Sequence, residues 1–252
     1  MCGRFVSTTS PMDLVELLGV TRWTALEELA PSWNVAPTDP VPAVLERVDK
    51  GTGEVVRQAR VLRWGLVPSW SKDAAGAARM INARAETVHA KPAFRKAFAN
   101  RRCVIPADGF YEWVAAPTVA GGKPYRQPYY LSPVSGGPLL MAGLYEFWRD
   151  RSVPDDDPAG WLATATVITT AASDAAGRVH DRMPLTISRT DVDAWLDPEL
   201  TDPAGARHLL HTPAGDELAV RAVSTAVNSV RSNGPELLEP VPDPLGSADG
   251  AA

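Results

Sequence analysis

The sequence predicts an α+β fold that is rich in strands and poor in helices. Several short segments alternate apolar with polar residues or contain many β-branched residues, which is typical of strands. Few segments have helical periodicity, and we find no internal repeat or heptad pattern. With 252 residues, 45% of them hydrophobic and 22% charged, the chain is long enough to bury a core. No apolar run approaches the roughly 20 residues of a membrane span, so we expect no membrane association.

Short elements and loops alternate through the first half of the chain. Apolar residues spaced along one helix face begin at Pro11, and a Trp- and Pro-rich loop follows. In chain order, the predicted elements are a helix (11–20), a strand from Val41, a turn (49–53), a strand (54–68), a loop of small and polar residues (71–79) and a helix interrupted at Pro92 (85–101).

The second half is predicted to contain most of the strands. Its one helix, 189–197, has Thr190 as the expected N-cap, and the acidic loop 152–160 is expected to be exposed. From residue 235 the composition changes to Pro, Gly, Asp and Ala, which predicts one domain over 2–234 and a disordered acidic tail over 235–252. The predicted strands are 103–114, 128–133, 139–148, 163–172 and 217–225.

Charge is distributed unevenly along the chain, whose formal net charge is −5. From residue 191 onward there are 11 acidic and 3 basic residues, a net charge of −8. The first 190 residues therefore have 22 basic and 19 acidic residues, a net charge of +3. A local basic groove that binds nucleic acid is compatible with this distribution but is not required by it.

The two cysteines, Cys2 and Cys103, have no spacing that indicates a disulfide framework, zinc or redox chemistry. The four histidines are too scattered to indicate a metal site. We therefore expect no metal and no cofactor. A reducing compartment and the lack of an apolar segment at the N-terminus favour a cytoplasmic protein, which would be nucleoid-associated when on DNA. Cys103 lies between apolar residues and is expected in the core.

Cys2 gives the strongest chemical indication in the sequence. Removal of Met1 is expected because the second residue is small, and it would leave an α-amine and a thiol on neighbouring carbon atoms. The amine has an ordinary pKa of about 7.7–8.0 and is partly neutral near pH 7. Such an amine condenses with an aldehyde to an imine, and the thiol then closes a five-membered thiazolidine ring. Cys2 is therefore a candidate for covalent capture of an aldehyde.

Six motifs occur in one order, and together they resemble the SRAP family, the SOS-response-associated peptidases. The resemblance covers residues 2–230 and implies a single domain of mostly antiparallel strands in a barrel-like core, with a few flanking helices. It also implies that the partner is single-stranded DNA containing abasic sites, which members of this family shield by crosslinking to them. The motifs are MCGRF at the start, WNVAPT (33–38), WGLVPSW (64–70), INARAET (81–87), CVIPADGFYEW (103–113) and VHDRMP (179–184).

The resemblance also assigns roles to single residues. Cys2 matches the crosslinking cysteine. Asn82, Glu112 and His180 match the other catalytic positions, where Glu112 would move protons as an acid and base and His180 could also protonate a leaving phosphate in a lyase side reaction. The positions that match phosphate-binding or base-stacking residues are Arg4, Asn34, Trp70, Arg84 and Arg182.

Two other functions remain open from the sequence. Cys2, His180 and Glu112 would also serve a peptidase or amidohydrolase with an N-terminal cysteine nucleophile. A non-catalytic module that binds single strands would use the same Arg and Trp residues without needing Cys2. Arg101 and Arg102 could extend a phosphate track or end a solvated helix. We expect a monomer, and the sequence indicates no protein partner.

Overall fold

The computed structural model describes residues 2–24, 26, 29–116, 124–210, 218–244 and 246, and all side chains within these ranges except those of residues 174 and 175. Thirteen strands occur in the described ranges: β1 (Phe5–Ser7), β2 (Arg22–Thr24), β3 (Ser32–Val35), β4 (Pro40–Val48), β5 (Val55–Trp64), β6 (Asn82–Arg84), β7 (Arg102–Ala107), β8 (Gly109–Ala115), β9 (Arg126–Pro133), β10 (Leu139–Arg149), β11 (Trp161–Ala171), β12 (Arg182–Pro184) and β13 (Leu218–Ala222). The same ranges contain five short α-helices: α1 (Pro11–Leu18), α2 (Arg95–Asn100), α3 (Asp174–Gly177), α4 (Val192–Leu196) and α5 (Pro203–His208).

A closed five-stranded barrel is formed by β4, β5, β7, β10 and β11. Its neighbouring strands are antiparallel except for β5 and β11, whose parallel pairing at Thr164 and Ala165 closes the ring. Closure leaves these strands without free edges. Alternate residues along the strands fill the interior with fully buried side chains: Val41, Ala43, Leu45, Leu62, Trp64, Cys103, Ile105, Met141, Ala165 and Val167. The predicted α+β fold with an antiparallel, barrel-like core is confirmed.

A second sheet, in the order β13-β9-β8-β1-β3, lies beside the barrel and holds the N-terminal strand. β1 lies between β8 and β3, with Phe5 opposite both Phe110 and Val35. The Phe5 ring contacts the Trp64 ring edge to face, with centroids 4.9 Å apart, and so joins the second sheet to the barrel interior. The chain entering β1 is therefore fixed over one end of the barrel.

Four of the helices, α1, α2, α4 and α5, cover one outer face of the barrel. Leu18, Phe98 and Trp195 pack there against outward-facing barrel residues such as Val104 and Leu144. None of the helices within the described ranges is long and apolar enough to span a membrane.

Two predicted helices are shorter than expected. Of residues 85–101, only Arg95–Asn100 is helical, because the preceding residues form turns that bury Val88 and Phe94. The helix predicted at 189–197 is a 3-10 turn (Arg189–Asp191) followed by α4, and Ser188 instead of Thr190 caps it by accepting from the Asp191 backbone N–H.

The boundary predicted at residue 235 lies inside the folded part of the chain. Residues 235–238 form a 3-10 turn that buries Leu237, and the Val241 backbone N–H donates to the Ala222 carbonyl. The Tyr129 hydroxyl also contacts Asp243 at 2.5 Å. Apolar burial thus continues past the point where the composition changes. Residues 245 and 247–252 of the predicted tail lie outside the described residues, as do 117–123 and 211–217.

Candidate active site

Cys2 lies at one end of the barrel, where its backbone is held by Asn82. The Asn82 side-chain Nδ2 donates to the Cys2 carbonyl oxygen at 2.7 Å. β6 places Asn82 there by pairing in parallel with β11, with Asn82 opposite Val167. The Trp64 indole supports both segments, because it donates to the Ile81 carbonyl at 2.9 Å while its ring contacts Phe5. Residues far apart in the sequence thus fix the position of Cys2.

The Cys2 thiol is fully buried within the barrel core. Burial raises the pKa of this thiol, and the negative charge of Glu112 raises it further. The Sγ atom lies 3.9 Å from the Arg4 carbonyl oxygen, a weak hydrogen bond that the protonated thiol donates. The thiol is therefore protonated in the folded chain that carries Met1, and a neighbouring base has to accept its proton before it can react as a thiolate.

Glu112 is such a neighbour, and it is a buried carboxyl. It lies on β8, opposite Tyr129 of β9, and is only 3% exposed. Burial raises the pKa of Glu112, while the positive charges of the chain's amino terminus and of His180 act in the opposite direction. A raised pKa brings a carboxyl closer to the range in which it can both donate and accept a proton, which is consistent with the acid–base role predicted for Glu112.

His180 lies just before β12, with its ring partly exposed. Its Nδ1 atom is 3.0 Å from the Arg182 backbone nitrogen and 2.7 Å from the Asp181 carboxylate. A neutral ring accepts the backbone hydrogen bond at Nδ1 and carries its proton on Nε2. A protonated ring instead donates from Nδ1 to Asp181. In either form Nδ1 has a neighbour to bond with, and an imidazole is a side chain suited to proton transfer.

Arg4 and Asn34, predicted to contact DNA, instead form an internal network. Arg4 Nη1 donates to Asn34 Oδ1 at 2.8 Å and to the Val227 carbonyl at 2.9 Å. Asn34 is 3% exposed, and its Nδ2 atom donates to the Val227, Ser229 and Ser232 carbonyls. Direct DNA contact at Asn34 stays a prediction, and in this structure its amide is buried and fully occupied by backbone carbonyls. Both residues fasten β1 and β3 to the segment 225–232.

Arg182 and Arg84 differ in how accessible they are. Arg182 donates to both carboxylate oxygens of Glu86 and to the carbonyl of Thr169, so much of its fork is already occupied. A phosphate would have to compete with Glu86 for this guanidinium. Arg84 has an exposed side chain at the end of β6, two residues after Asn82. Of the two, Arg84 is the one that solvent, and therefore DNA, can reach directly.

Trp70 is 65% exposed, in a turn that follows the barrel strand β5. An exposed indole of this kind is suited to stacking against an unpaired base.

Arg102, whose role the sequence alone could not decide, is buried. It donates to four backbone carbonyls, those of Phe98, Ala99, Trp195 and Asp197. It is a structural residue that joins α2 to the segment after α4.

Two neighbours of the site were not singled out from the sequence. The Arg4 Cζ atom lies 6.0 Å from the centre of the Trp113 ring, and the Trp113 indole Nε1 donates to Asn228 Oδ1 at 2.6 Å. Glu86 pairs with Arg182. Both lie inside the quoted motifs, which gave their types but not their partners. In the described part of the chain, no group of three or more His, Cys, Asp or Glu side chains could hold a metal ion.

The fold and site define a barrel domain with a cysteine near its N-terminus, held by an amide and lying beside a buried carboxyl. A family model described as SOS response associated peptidase (SRAP) matches residues 1–230, and the chain belongs to this family. The resemblance seen in the motifs is thereby confirmed.

Curated relatives and solved structures agree with this assignment. The chain is 37% identical over 239 residues to the abasic site processing protein YoqW of Bacillus subtilis (strain 168), covering 95% of this chain and 99% of YoqW. It is 31% identical over 282 residues to the abasic site processing protein HMCES of Pongo abelii, covering 96% and 76%. A crystal structure of a Bacteroides thetaiotaomicron protein shares the fold, with a TM-score of 0.75, 22% identity and coverage of 95% and 100%.

Proposed function

We propose that the chain recognises abasic sites in single-stranded DNA and bonds covalently to them through Cys2. One observation carries the proposal: Asn82 holds the Cys2 backbone at a place where the thiol is coupled electrostatically to the buried carboxyl of Glu112. The names of YoqW and HMCES support the substrate class, because both are called abasic site processing proteins. Removal of Met1 frees the α-amine that the reaction needs.

The amine of Cys2 reacts first, because the thiol is protonated. Its nitrogen attacks C1′ of the open sugar, and the carbinolamine that forms loses one water to give an imine. Glu112 accepts the proton that the amine loses and returns it to the departing hydroxyl. Asn82 keeps the amine in place through the Cys2 carbonyl, and its own Oδ1 is buried without a hydrogen-bond partner among the described residues. That oxygen is available to the amine or to a sugar hydroxyl.

The thiol closes the ring in the second step. Glu112 takes the Sγ proton, the sulfur attacks the imine carbon, and the imine nitrogen receives a proton as it becomes an amine. The sum is aldehyde plus amine plus thiol giving a thiazolidine and one water, with no oxidant or cofactor required. The five-membered ring is stable because both bonds to the sugar carbon come from the same residue.

Single strands suit the exposed residues around the site. Trp70 offers a stacking face and Arg84 a free guanidinium, which together bind a strand without reading its sequence. In duplex DNA the bases are already stacked, so the indole gains little there. The chain acts as a monomer in this proposal, because all groups named in the reaction belong to one chain.

Strand cleavage at the lesion is a side reaction of the same intermediate. An imine at C1′ acidifies the neighbouring C2′ hydrogen atoms. Loss of one of them as a proton to water forms the C2′=C3′ double bond and expels the 3′ phosphate by β-elimination. His180, partly exposed and able to exchange protons, would protonate the leaving phosphate. The alternative peptidase function would use the same Cys2 thiol and the same Glu112 base.

A denaturing gel tests the proposed function. Protein shown by mass to begin at Cys2 is incubated with a single-stranded oligonucleotide that carries one abasic site. We expect a shifted band that withstands denaturation and is absent for Cys2→Ala and for protein with an acetylated amine. Cys103→Ala is the matched control and should crosslink like the original protein. Absence of the band from protein that starts at Cys2 would overturn the proposal.

A further inference from the structure

The ends of β4 and β10 carry a second group of basic residues at one mouth of the barrel. Arg47 lies near the end of β4 and Phe147 near the end of β10, beyond Gly143, whose β11 partner Val167 is paired with Asn82. The Cζ atoms of Arg47 and Arg60 lie 5.2 and 5.8 Å from the centre of the Phe147 ring. An aromatic ring attracts cations at this distance. Phe147 thus holds two like charges at one mouth of the barrel.

Arg47 and Arg60 have no carboxylate partner within ion-pair distance in the part of the chain that the structure describes. Burial lowers the pKa of Arg60, and the charge of Arg47 lowers it further. Two guanidinium groups that repel each other in a partly buried place destabilise the free protein. A bound anion would relieve this repulsion.

The carboxylates nearest to this mouth are already engaged by other arginines. Glu46 accepts two hydrogen bonds from Arg57, and Glu146 pairs with Arg101 at 2.7 Å. Arg101 in turn has a buried Nε–H without a hydrogen-bond partner. The mouth therefore has basic donors in excess of the acceptors that the described residues supply.

A cavity of about 260 Å³ opens at this mouth. We propose that it binds a phosphate-type oxyanion, with Arg47 and Arg101 as its main ligands and the charge of Arg60 strengthening the site. Guanidinium forks match the geometry of phosphate oxygens. The lining includes Arg47, Asn100, Arg101, Tyr145, Phe147 and Pro198. Glu46 also lines the cavity, and Arg57 balances the charge of its carboxylate by donating two hydrogen bonds to it.

The other groups of the cavity fit the same ligand. Burial raises the pKa of Tyr145 to about 12, so its hydroxyl keeps its proton and remains a donor near pH 7. The apolar surfaces of Phe147 and Pro198 line the same cavity. They would contact the organic part of a phosphomonoester, whereas free phosphate would use the basic groups alone. The site is independent of the chemistry proposed at Cys2.

Calorimetric titration of the full-length chain tests this proposal. Inorganic phosphate and adenosine 5′-monophosphate are the two probes, at matched ionic strength with chloride as the reference. We expect saturable binding, with Arg47→Gln weakening it by at least about tenfold because a charge-assisted fork is lost. Arg151→Gln removes an exposed arginine outside the cavity and should bind like the original protein. Tighter binding of the nucleotide than of phosphate would assign the site to phosphomonoesters. Equal binding of the two probes would assign it to free phosphate.

The folding of the variants is checked by thermal unfolding in chloride alone. Arg47→Gln should unfold at the same or a higher temperature, because it removes a repulsion. Arg47→Lys keeps the charge without the fork and should have an intermediate affinity. No saturable binding of either probe by the original chain up to about 10 mM, or equal binding by folded Arg47→Gln, would overturn the proposal.

Discussion

Burial raises the pKa of both Cys2 and Glu112, and the two groups affect each other. A protonated thiol cannot attack before the amine does, which sets the order of bond formation in the proposed reaction. A carboxyl whose pKa is raised can exchange protons with the amine, the departing water and the thiol in turn. The same burial that suits Glu112 to proton transfer also makes its ionised form costly to the fold.

The cost at Glu112 leads to a pH-dependent expectation for stability. The folded state binds the Glu112 proton more tightly than the unfolded state, so stability falls as pH rises from the ordinary pKa of 4.5 through the folded pKa, and stays lower above it. We expect Glu112→Gln to unfold at a temperature higher by roughly 2–4 °C at pH 8, the effect of about 1 kcal/mol in a domain of this size. Below pH ~4 the two proteins should be equal, because both states are protonated there.

The measurement is thermal unfolding at pH values from roughly 3.5 to 8.5, a range that includes the titration of ordinary carboxyl groups and of carboxyl groups with a raised pKa. Glu239→Gln, which changes an exposed glutamate, is the control and should leave the unfolding temperature unchanged at each pH. Equal unfolding temperatures for Glu112→Gln and the original chain at pH 8 would show that burial does not destabilise the ionised carboxyl.

The residue types of the site could be predicted from the motifs, but their partners could not. Cys2, Asn82, Glu112 and His180 were named from the sequence, and the structure brings them to one end of the barrel; their chemical roles stay predictions. Arg4 was expected on DNA, yet it donates to Val227, 223 residues away. A guanidinium fork fits carbonyl and carboxylate oxygens as well as phosphates. Only the folded chain shows which acceptor is near.

The segment 225–232 illustrates how a loop is fixed by one side chain from another element. Asn34 of β3 donates to three of its carbonyls and accepts from Arg4. We expect Asn34→Ala to lower the free energy of unfolding by about 3 kcal/mol, because it leaves several buried polar groups without partners. Chemical denaturation measures the change.

The matched control for this segment is Asn233→Ala. Asn233 is exposed and accepts one hydrogen bond, from the Trp33 backbone N–H. Its loss should cost no more than about 1 kcal/mol. Equal effects of the two substitutions would contradict the anchoring role assigned to Asn34.

Strands were easier to predict than helices in this chain. The β-branched run at 163–172 is β11, which begins two residues earlier, at Trp161. By contrast, the helical periodicity of 85–101 gave a helix only at its end. Buried strands show their character locally, in composition and alternation. Short turns that bury an occasional apolar residue, such as Val88, imitate the spacing of an amphipathic helix.

The barrel as a whole connects parts of the chain whose pairing has no local signal. Closure depends on a parallel contact between β5 and β11, strands separated by about 100 residues in sequence. β6 adds to the same strand and carries Asn82 to the N-terminus. The change of composition at residue 235 does not mark the end of the folded domain, because Leu237 and Val241 still pack on the side of the molecule that carries the second sheet. Long-range packing set these features.

The central claim is that the amine and the thiol of Cys2 both bond to the same sugar carbon. An imine and a thiazolidine have the same mass, that of protein without Met1 plus DNA less one water. Intact mass before and after borohydride separates them, because borohydride adds two hydrogen atoms to an imine. We expect the adduct of the original chain to keep its mass, and that of Cys2→Ser, which stops at the imine, to gain two hydrogens. If the original chain's adduct also gained them, the thiol would not be bonded and the account would be contradicted.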